Sequence, residues 1–403
     1  MGDPQLGVPT IIVGGTNGKT STARAIATLG QTLGYVTGLF TSPHLFEVRE
    51  RILVDSKMIP TTHLADSLER IAAYADLLPP GVDRPTYFET LTAAAFEIFA
   101  DEPVDLSVLE VGMGGKWDAT NVTTPLAACL MPISLDHMEY LGDTVEEIAT
   151  DKAQIIRPSS IAVSASQQPS VIEVIANRCK ELGCELLEEG RDFEVTNWRP
   201  AVGGQIFDLR TPLAQYGELF LPMFGAHQAT NVAVAVTAIS VALRADEAPS
   251  QSQVEDALAQ TSSPGRLEVL SREPLVIVDA CHNPAGAEVT VRALRENFVD
   301  HEFVLVFAVM KNKDALAILE HLTSVSTCVV VTSTNSPRSE SIDELQALLS
   351  TNFPKLEVHV AADISHACDK ACDLASSQGP QTGVLVAGSV ALVGAARGWS
   401  QSV

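Results

Sequence analysis

Short, wholly apolar runs recur along the chain at residues 9–13, 106–111, 127–133, 161–164, 275–279, 303–308, 327–332 and 384–387. Between most of them lie segments whose apolar residues return with helical period, at 21–33, 87–99, 144–155, 171–182, 231–243, 285–297 and 342–349. A strand that is apolar on both faces needs cover on both faces, and helices on either side of a sheet supply it. The alternation therefore predicts an α/β fold with mostly parallel sheet. One stretch breaks the rhythm. Residues 191–224 hold short β-like pieces, Trp198, Pro200 and the pair Gly203-Gly204, which predicts a small antiparallel β insert. At Thr261-Ser262-Ser263-Pro264-Gly265 the sequence turns linker-like, and a second set of about five strand–helix units follows. The expected division is residues 1–262 and 263–403.

Charge limits what such a chain can bind. Its 403 residues carry 26 Lys and Arg against 50 Asp and Glu, a net charge of −24. Proteins that coat nucleic acid or an anionic membrane need a basic footprint, so both classes are excluded. A small anionic ligand remains compatible if one pocket reverses the sign. Met1-Gly2-Asp3-Pro4-Gln5 has neither the basic nor the apolar region of a secretory signal. No window holds the ~18 consecutive apolar residues of a membrane span. The seven cysteines include no Cys-x-x-Cys, and Cys368 and Cys372 have no companion His/Cys cluster for zinc. Reduced thiols in a cytoplasmic monomer with small-molecule partners are expected.

Ile11-Ile12-Val13 runs into Gly14-Gly15-Thr16-Asn17-Gly18-Lys19-Thr20-Ser21 and then an Ala-rich helix. Strand, glycine loop and helix in that order build an anion cradle. The glycines let backbone N–H groups converge, the helix N-terminus adds partial positive charge, and Lys19 adds a full one. A strict Walker A loop has glycine five positions before Gly18, where this chain has Val13. The loop is instead a Gly15-Thr16-Asn17-Gly18-Lys19-Thr20 form, and it predicts binding of nucleoside triphosphate phosphates.

Other chemistry-bearing residues stand at expected strand ends, where open α/β sheets bind ligands. Glu110, in Glu110-Val111-Gly112-Met113-Gly114-Gly115, is a carboxylate placed to meet the phosphate loop and to hold Mg²⁺. Asp136-His137 follows the run at 127–133. Asp279-Ala280-Cys281-His282-Asn283-Pro284 ends another strand, with Asp279 and His282 expected to face an interdomain cleft. A Cys281/His282 nucleophile is disfavoured, because neighbours at a strand end point apart. Arg266 lies at the proposed hinge, placed to reach phosphate when the domains close. Lys152 falls within an amphipathic helix, where an exposed lysine is the plain expectation.

Taken together, these motifs resemble the folylpolyglutamate synthase/dihydrofolate synthase family of the Mur ligase superfamily. They run in the same order: Gly15–Ser21; Thr41-Ser42-Pro43-His44-Leu45 with Glu50-Arg51-Ile52; Phe88-Glu89; Glu110–Gly115 with Asp118-Ala119-Thr120-Asn121; Leu135-Asp136-His137 with Leu141-Gly142; Lys152-Ala153; His227-Gln228 with Asn231; Pro264–Glu268; and Asp279–Pro284. The resemblance implies a P-loop ATPase domain followed by a Rossmann-like α/β ligase domain. It implies an enzyme that uses ATP to phosphorylate the carboxylate of a reduced folate or of dihydropteroate, and then joins L-glutamate to it. Carried onto this sequence, Gly15, Thr16, Asn17, Gly18, Lys19, Thr20, Ser21, Asn231, Arg266 and Asp279 would bind ATP. Ser42, Glu110 and His137 would hold two Mg²⁺ ions. Lys152 matches a lysine that the family carries as a carbamate, and His282 would stand near phosphate. Glu139 and Arg51 are the expected folate contacts; the acidic Glu139 favours dihydrofolate synthase activity alongside polyglutamylation, since a carboxylate can pair with the pterin N–H and amino groups.

The sequence departs from the family pattern in three places. Thr20 stands where the family usually has glycine, and Cys281 where it has alanine. The helix that the family carries ahead of the loop is not seen in this sequence. A cell-wall Mur ligase shares the loop and the chemistry but needs a UDP-binding domain of ~100 residues before it. A P-loop kinase or nucleotide switch is the remaining alternative.

Overall fold

In the computed structural model, which describes residues 1–243, 248–334 and 336–401, two sheets carry the chain. The first has eight strands: β1 (Thr10–Gly14), β2 (Thr37–Phe40), β3 (Ile52–Val54), β4 (Lys57–Met58), β5 (Leu106–Glu110), β6 (Ala127–Leu130), β7 (Ile161–Ser164) and β8 (Leu186–Glu188). Their order is β4-β3-β2-β5-β1-β6-β7-β8. The six from β2 to β8 in that order are parallel, and only the edge pairs β2–β3 and β3–β4 are antiparallel. Every residue of β1 and β5 is buried, as expected of strands apolar on both faces.

The predicted insert is a three-stranded antiparallel sheet of β9 (Glu194–Ala201), β10 (Gly204–Arg210) and β11 (Gln215–Leu221). The second large sheet is built from β12 (Glu268–Arg272), β13 (Leu275–Asp279), β14 (Glu302–Phe307), β15 (Ser326–Val331), β16 (Glu357–Val360) and β17 (Thr382–Ala387). Its order is β12-β13-β17-β14-β15-β16, with β12 the antiparallel edge. Two buried clusters flank each large sheet, one per face.

Helix starts follow local chemistry. Thr86 with Glu89, and Thr144 with Glu147, form capping boxes that begin the helices Tyr87–Asp101 and Val145–Lys152. Asn283 caps the helix Pro284–Asn297 by accepting from Gly286 N at 2.7 Å, with proline at its first position. The helix Ala226–Ala242 starts five residues before the apolar period suggests, because its first turns carry polar His227, Gln228 and Asn231. The segments at 61–75, 251–260, 364–378 and 390–400 are also helical, although their apolar period is diluted by alanine and small polar residues. Among the described residues, no helix is long and apolar enough to cross a membrane.

Candidate active site

Strands β5, β1 and β6 are adjacent, and the chain leaves their carboxyl ends in three loops that meet. The loop after β1 carries the glycines. Gly15 has φ of +132°, and a Cβ there would sit 2.7 Å from the Met131 backbone, so only glycine lets this loop pass β6. Gly18, at φ of +89°, lies so close to Asn231 that a Cβ would come within 2.6 Å of its Oδ1. Asn231 is thereby set against the loop from the opposite side, its Nδ2 donating to Gln228 Oε1 at 2.9 Å.

Two lysines converge on one carbonyl. Lys19 Nζ donates to Gly15 O at 3.1 Å and to Thr16 O at 3.0 Å, and Lys152 Nζ donates to Gly15 O at 2.9 Å. Far from being an exposed helix residue, Lys152 is 4% exposed. Burial, reinforced by the Lys19 charge, brings its pKa down to about 7. Burial also lowers the Lys19 pKa, against the support of Glu110 and Asp136. Both amines direct their hydrogen bonds to main-chain carbonyls of the phosphate loop, so two lysines gather there in a chain of net charge −24.

Glu110 ends β5 and is 1% exposed. Its Oε1 accepts from Thr20 Oγ1 at 2.8 Å and its Oε2 from Ser42 N at 3.0 Å. Burial raises its pKa, and Lys19 opposes the rise. The loop beyond it is tied down by Asp118, which accepts from Gly112 N at 2.9 Å and Met113 N at 3.0 Å. Gly115 N donates to Asp151 Oδ1 at 2.8 Å, and a Cβ at Gly115 would meet the carbonyl oxygens of Asp151 and Lys152 at 2.7 and 2.8 Å. The glycines after Glu110 thus let that loop lie flat on the helix end that presents Lys152.

The third loop bridges to the second sheet. Asp136 Oδ1 pairs with Lys313 Nζ at 2.5 Å, and its Oδ2 lies 3.8 Å from both His137 Nε2 and His282 Nε2. Asn283 Nδ2 donates to Asp136 Oδ2 at 3.3 Å, and Asn17 and Asn283 exchange amide hydrogen bonds at 3.1 and 3.3 Å. Burial alone would raise the Asp136 pKa; the Lys313 ammonium, with His137 and His282, outweighs it and holds the group at about 2. Burial and the Lys313 charge lower His282 to about 4, and burial lowers His137 as well. His282 Nδ1 sits 3.0 Å from Ala280 O, which favours the tautomer that leaves Nε2 free to accept.

Arg51 and Asp279 spend their hydrogen bonds away from this centre, whereas Arg266 is close enough for its charge to act on Lys19, Glu110 and His282. Arg51 lies further back, its Nε donating to His44 Nδ1 at 2.9 Å and its guanidinium 5.4 Å from the Tyr87 ring centroid. Asp279 turns inward, accepting from Leu267 N, Cys281 N and Thr290 Oγ1, each at 2.9 Å, so its carboxylate braces the hinge turn. Arg266 follows Ser263, whose Oγ lies 2.9 Å from Ser21 Oγ. Cys281 is buried with its pKa raised by desolvation, and all seven cysteines are free. Glu139 sits in the first turn of the helix Met138–Leu141 and lines a cavity with His137, His282 and Lys313. Lys313 is the functional-looking residue that the motifs passed over; its signal was its place just beyond the apolar run at 303–308.

The residues fit a hard divalent cation in part. Among the described residues no three His, Cys, Asp or Glu side chains gather as a metal cage. A buried carboxylate beside a hydroxyl and a phosphate loop is instead what Mg²⁺ uses when nucleotide and water supply the rest of its shell.

Comparison with known proteins accounts for both halves of the chain. The Mur ligase middle domain matches residues 13–239, and the glutamate ligase domain of Mur ligases matches residues 265–390. The dihydrofolate synthase/folylpolyglutamate synthase of Mycobacterium tuberculosis is 38% identical over 98% of this chain and 87% of its own length. The chain belongs to the folylpolyglutamate synthase/dihydrofolate synthase family of Mur ligases. A solved structure of Mycobacterium tuberculosis folylpolyglutamate synthase complexed with ADP superimposes with a TM-score of 0.95 at 37% identity, covering 99% of this chain and 92% of that one. A folylpolyglutamate synthase complex with AMPPCP and folate gives 0.80 at 30% identity, covering 98% and 91%. Within this family the departure at Thr20 has a visible consequence: its hydroxyl holds Glu110.

Proposed function

We propose that this chain is an ATP-dependent ligase that joins L-glutamate to a reduced folate, and also to dihydropteroate, through an acyl phosphate. The observation that carries the reading is the meeting of the phosphate loop, Glu110 and Lys152 with the Asp136–Lys313 pair where the two sheets face each other. Solved relatives in complex with ADP, and with AMPPCP and folate, support it. The division at 262/263 is part of the same reading, with the ATPase unit before it and the ligase unit after it.

ATP and a carboxylate acceptor are both anions, so the first task is to suppress their repulsion. Lys19 and the amides of Gly15–Ser21 hold the β- and γ-phosphates, displacing the carbonyl partners that Lys19 now uses. Asn231, Arg266 and His282 line the nucleotide, and Asp279 meets the ribose through the lone pairs its internal bonds leave. Ser42, Glu110 and His137 are the residues that would hold Mg²⁺, which supplies charge neutralisation at the transferring phosphoryl group. The acceptor carboxylate oxygen forms a bond to the γ-phosphorus as the bond to the ADP oxygen breaks. The amine of glutamate then attacks the acyl carbon, loses a proton, and inorganic phosphate departs with its oxygen. Glu139 and Arg51 are assigned to the folate.

Lys152 is suited to carbamylation. The reaction needs a neutral amine to attack CO₂, and a pKa of about 7 makes roughly half the amine neutral at neutral pH. The carbamate would carry negative charge beside Lys19, replacing repulsion with attraction. Seven free thiols accord with a reducing cytoplasm.

The decisive assay is phosphate release from ATP by purified protein with tetrahydrofolate or dihydropteroate, with and without L-glutamate. Release that requires both an acceptor and glutamate is expected. ATP turnover independent of glutamate would overturn the proposal and favour a kinase or switch.

A further inference from the structure

Two pairs among the seven free thiols stand close in the chain: Cys179 with Cys184, and Cys368 with Cys372. The second pair lies within one unbroken helix, Ile364–Gln378. Residues four apart on a helix hold their Cβ atoms ~5–6 Å apart, and a disulfide needs ~3.5–4.5 Å. The first pair escapes that limit because its helix ends between the two cysteines. The helix Pro169–Leu182 stops at Gly183, which takes φ of +65°, and Cys184 N donates back to Cys179 O at 2.9 Å. A reversal of this kind brings the side chains at its two ends into contact. Both cysteines pack on the same buried cluster, Cys179 inside it and Cys184 at its edge. Cys179 is 3% exposed, whereas Cys184 is half-buried.

We propose that Cys184 is a modification site for a low-molecular-weight disulfide, with Cys179 as its resolving thiol, and that the Cys179–Cys184 disulfide so formed slows turnover. The Cys184 thiolate attacks one sulfur of the small disulfide, whose S–S bond breaks and releases one thiolate. Cys179 then gives up its proton and attacks Cys184 Sγ, releasing the second. Two protein thiols are oxidised, the small disulfide is reduced to two thiols, and the two cysteine protons end on those thiols. Burial, and then the Cys184 charge, raise the Cys179 pKa to about 11, so Cys179 reacts second. Conversion of Cys184 to a mixed disulfide removes that charge.

The Cys184 thiol is also the first member of a series of hydrogen bonds that leads to the site. It donates to Arg157 O at 3.2 Å. The Arg157 guanidinium donates to Asn121 O and, at 3.2 Å, to Asn121 Oδ1. Asn121 Nδ2 in turn donates to Gly115 O at 2.7 Å and to Gln154 O at 3.2 Å. Gly115 and Gln154 flank the helix end that presents Lys152. A disulfide has no S–H to donate, so oxidation removes the first bond of the series. Cys184 is a positioning residue in this respect. The effect on turnover rests on the proposed ligase function; formation of the disulfide does not.

The test is incubation of the full chain with oxidised glutathione at mildly alkaline pH, followed by alkylation and a tryptic peptide map. Lys180 stands between the two cysteines, so trypsin yields two peptides that only this disulfide joins. Joined peptides that separate on adding dithiothreitol are expected. With them should come a reversible fall in kcat of about 2- to 5-fold, the scale of one weak hydrogen bond. Cys184→Ser keeps a donor for Arg157 O and should retain the reduced protein's activity while resisting the oxidant. Cys184→Ala should show the lower kcat without any oxidant, and melting temperatures establish that both variants are folded. A glutathione adduct that persists on Cys184 of the unmodified protein, or oxidation shared equally with Cys368 and Cys372, overturns the site. Joined peptides with an unchanged kcat overturn its link to Lys152. ATP turnover independent of glutamate would sink the ligase proposal alone, since the peptide map does not depend on activity.

Discussion

Lys19 and Lys152, far apart in sequence, donate to the same Gly15 carbonyl oxygen, at 3.1 and 2.9 Å. The Lys19 charge lowers the pKa of Lys152 by repulsion, on top of the larger effect of burial. An anion between them would relieve both terms. The arrangement concentrates two lysines at the phosphate loop of a chain with a net charge of −24.

A pH effect on stability follows for Lys152. Its folded pKa of about 7 lies below the ordinary 10.5, so between those values the unfolded chain binds a proton that the folded chain does not. Stability therefore rises with pH across roughly pH 7 to 10.5, and the cost of burying the lysine is fully present below about pH 7. The upper bound on that cost is about 5 kcal/mol. Denaturant titrations in CO₂-free buffer should show a flatter pH profile for Lys152→Met, which should also lose ligase activity. Bicarbonate should flatten the profile of the unmodified protein if Lys152 becomes a carbamate. A wild-type profile with no rise above pH 7 would contradict the burial of a free amine.

Removing the Glu110 carboxylate should affect turnover far more than folding. Glu110→Ala leaves Thr20 Oγ1 and Ser42 N without their acceptor and takes away the carboxylate that most supports the Lys19 charge. A fall in kcat of about 10²- to 10³-fold is expected, on the scale of deleting one electrostatic contact to a transition state. Chelation of divalent cations should abolish turnover in the parent protein and restore fully on adding Mg²⁺. The measurement is coupled ADP release, with ADP binding by calorimetry as the control.

Gly115→Ala should act at a distance. Its Cβ would collide with the backbone oxygens of Asp151 and Lys152, atoms that cannot swing aside. A loss of about 1–3 kcal/mol is expected by thermal or denaturant melting. Because the displaced helix end presents Lys152, activity should fall beyond what the stability loss accounts for, even at temperatures where the variant is fully folded.

Cys281 provides a contrast. It is buried with its thiol pKa raised, and its neighbour His282 points across the cleft at Asp136. Cys281→Ala should retain activity within about twofold and lose roughly 1 kcal/mol of stability, the scale of a small volume change in a packed site. Loss of activity in a folded Cys281→Ala protein would revive a thiol nucleophile.

The parallel sheets, the β insert and the phosphate loop were legible from local pattern. An apolar strand declares two buried faces over five residues, and a glycine loop between strand and helix declares an anion cradle wherever it occurs. Period alone missed the helix at 364–378 and others whose faces are lined by alanine and small polar residues. It also started the Ala226–Ala242 helix too late, because the polar residues of its first turns face the site and hide the helical repeat.

The site divides in the same way. Lys19 and Glu110 could be read from their own strand ends, since each strand's direction fixes where its loop emerges. Lys152 could not: in sequence it is a lysine on an amphipathic helix, and only the approach of Gly115 shows that it is buried and turned toward Gly15. Lys313 and Asp136 lie 177 residues apart, on loops of two different sheets. Nothing within either segment specifies the other, because their pairing is set by how the loops beyond β6 and β14 come together in the fold. The sequence by itself determined the strands, the loop and the kind of charge each loop carries. The tertiary structure alone decided which of those charges meet, since an ion pair depends on distance in space and the chain records only order.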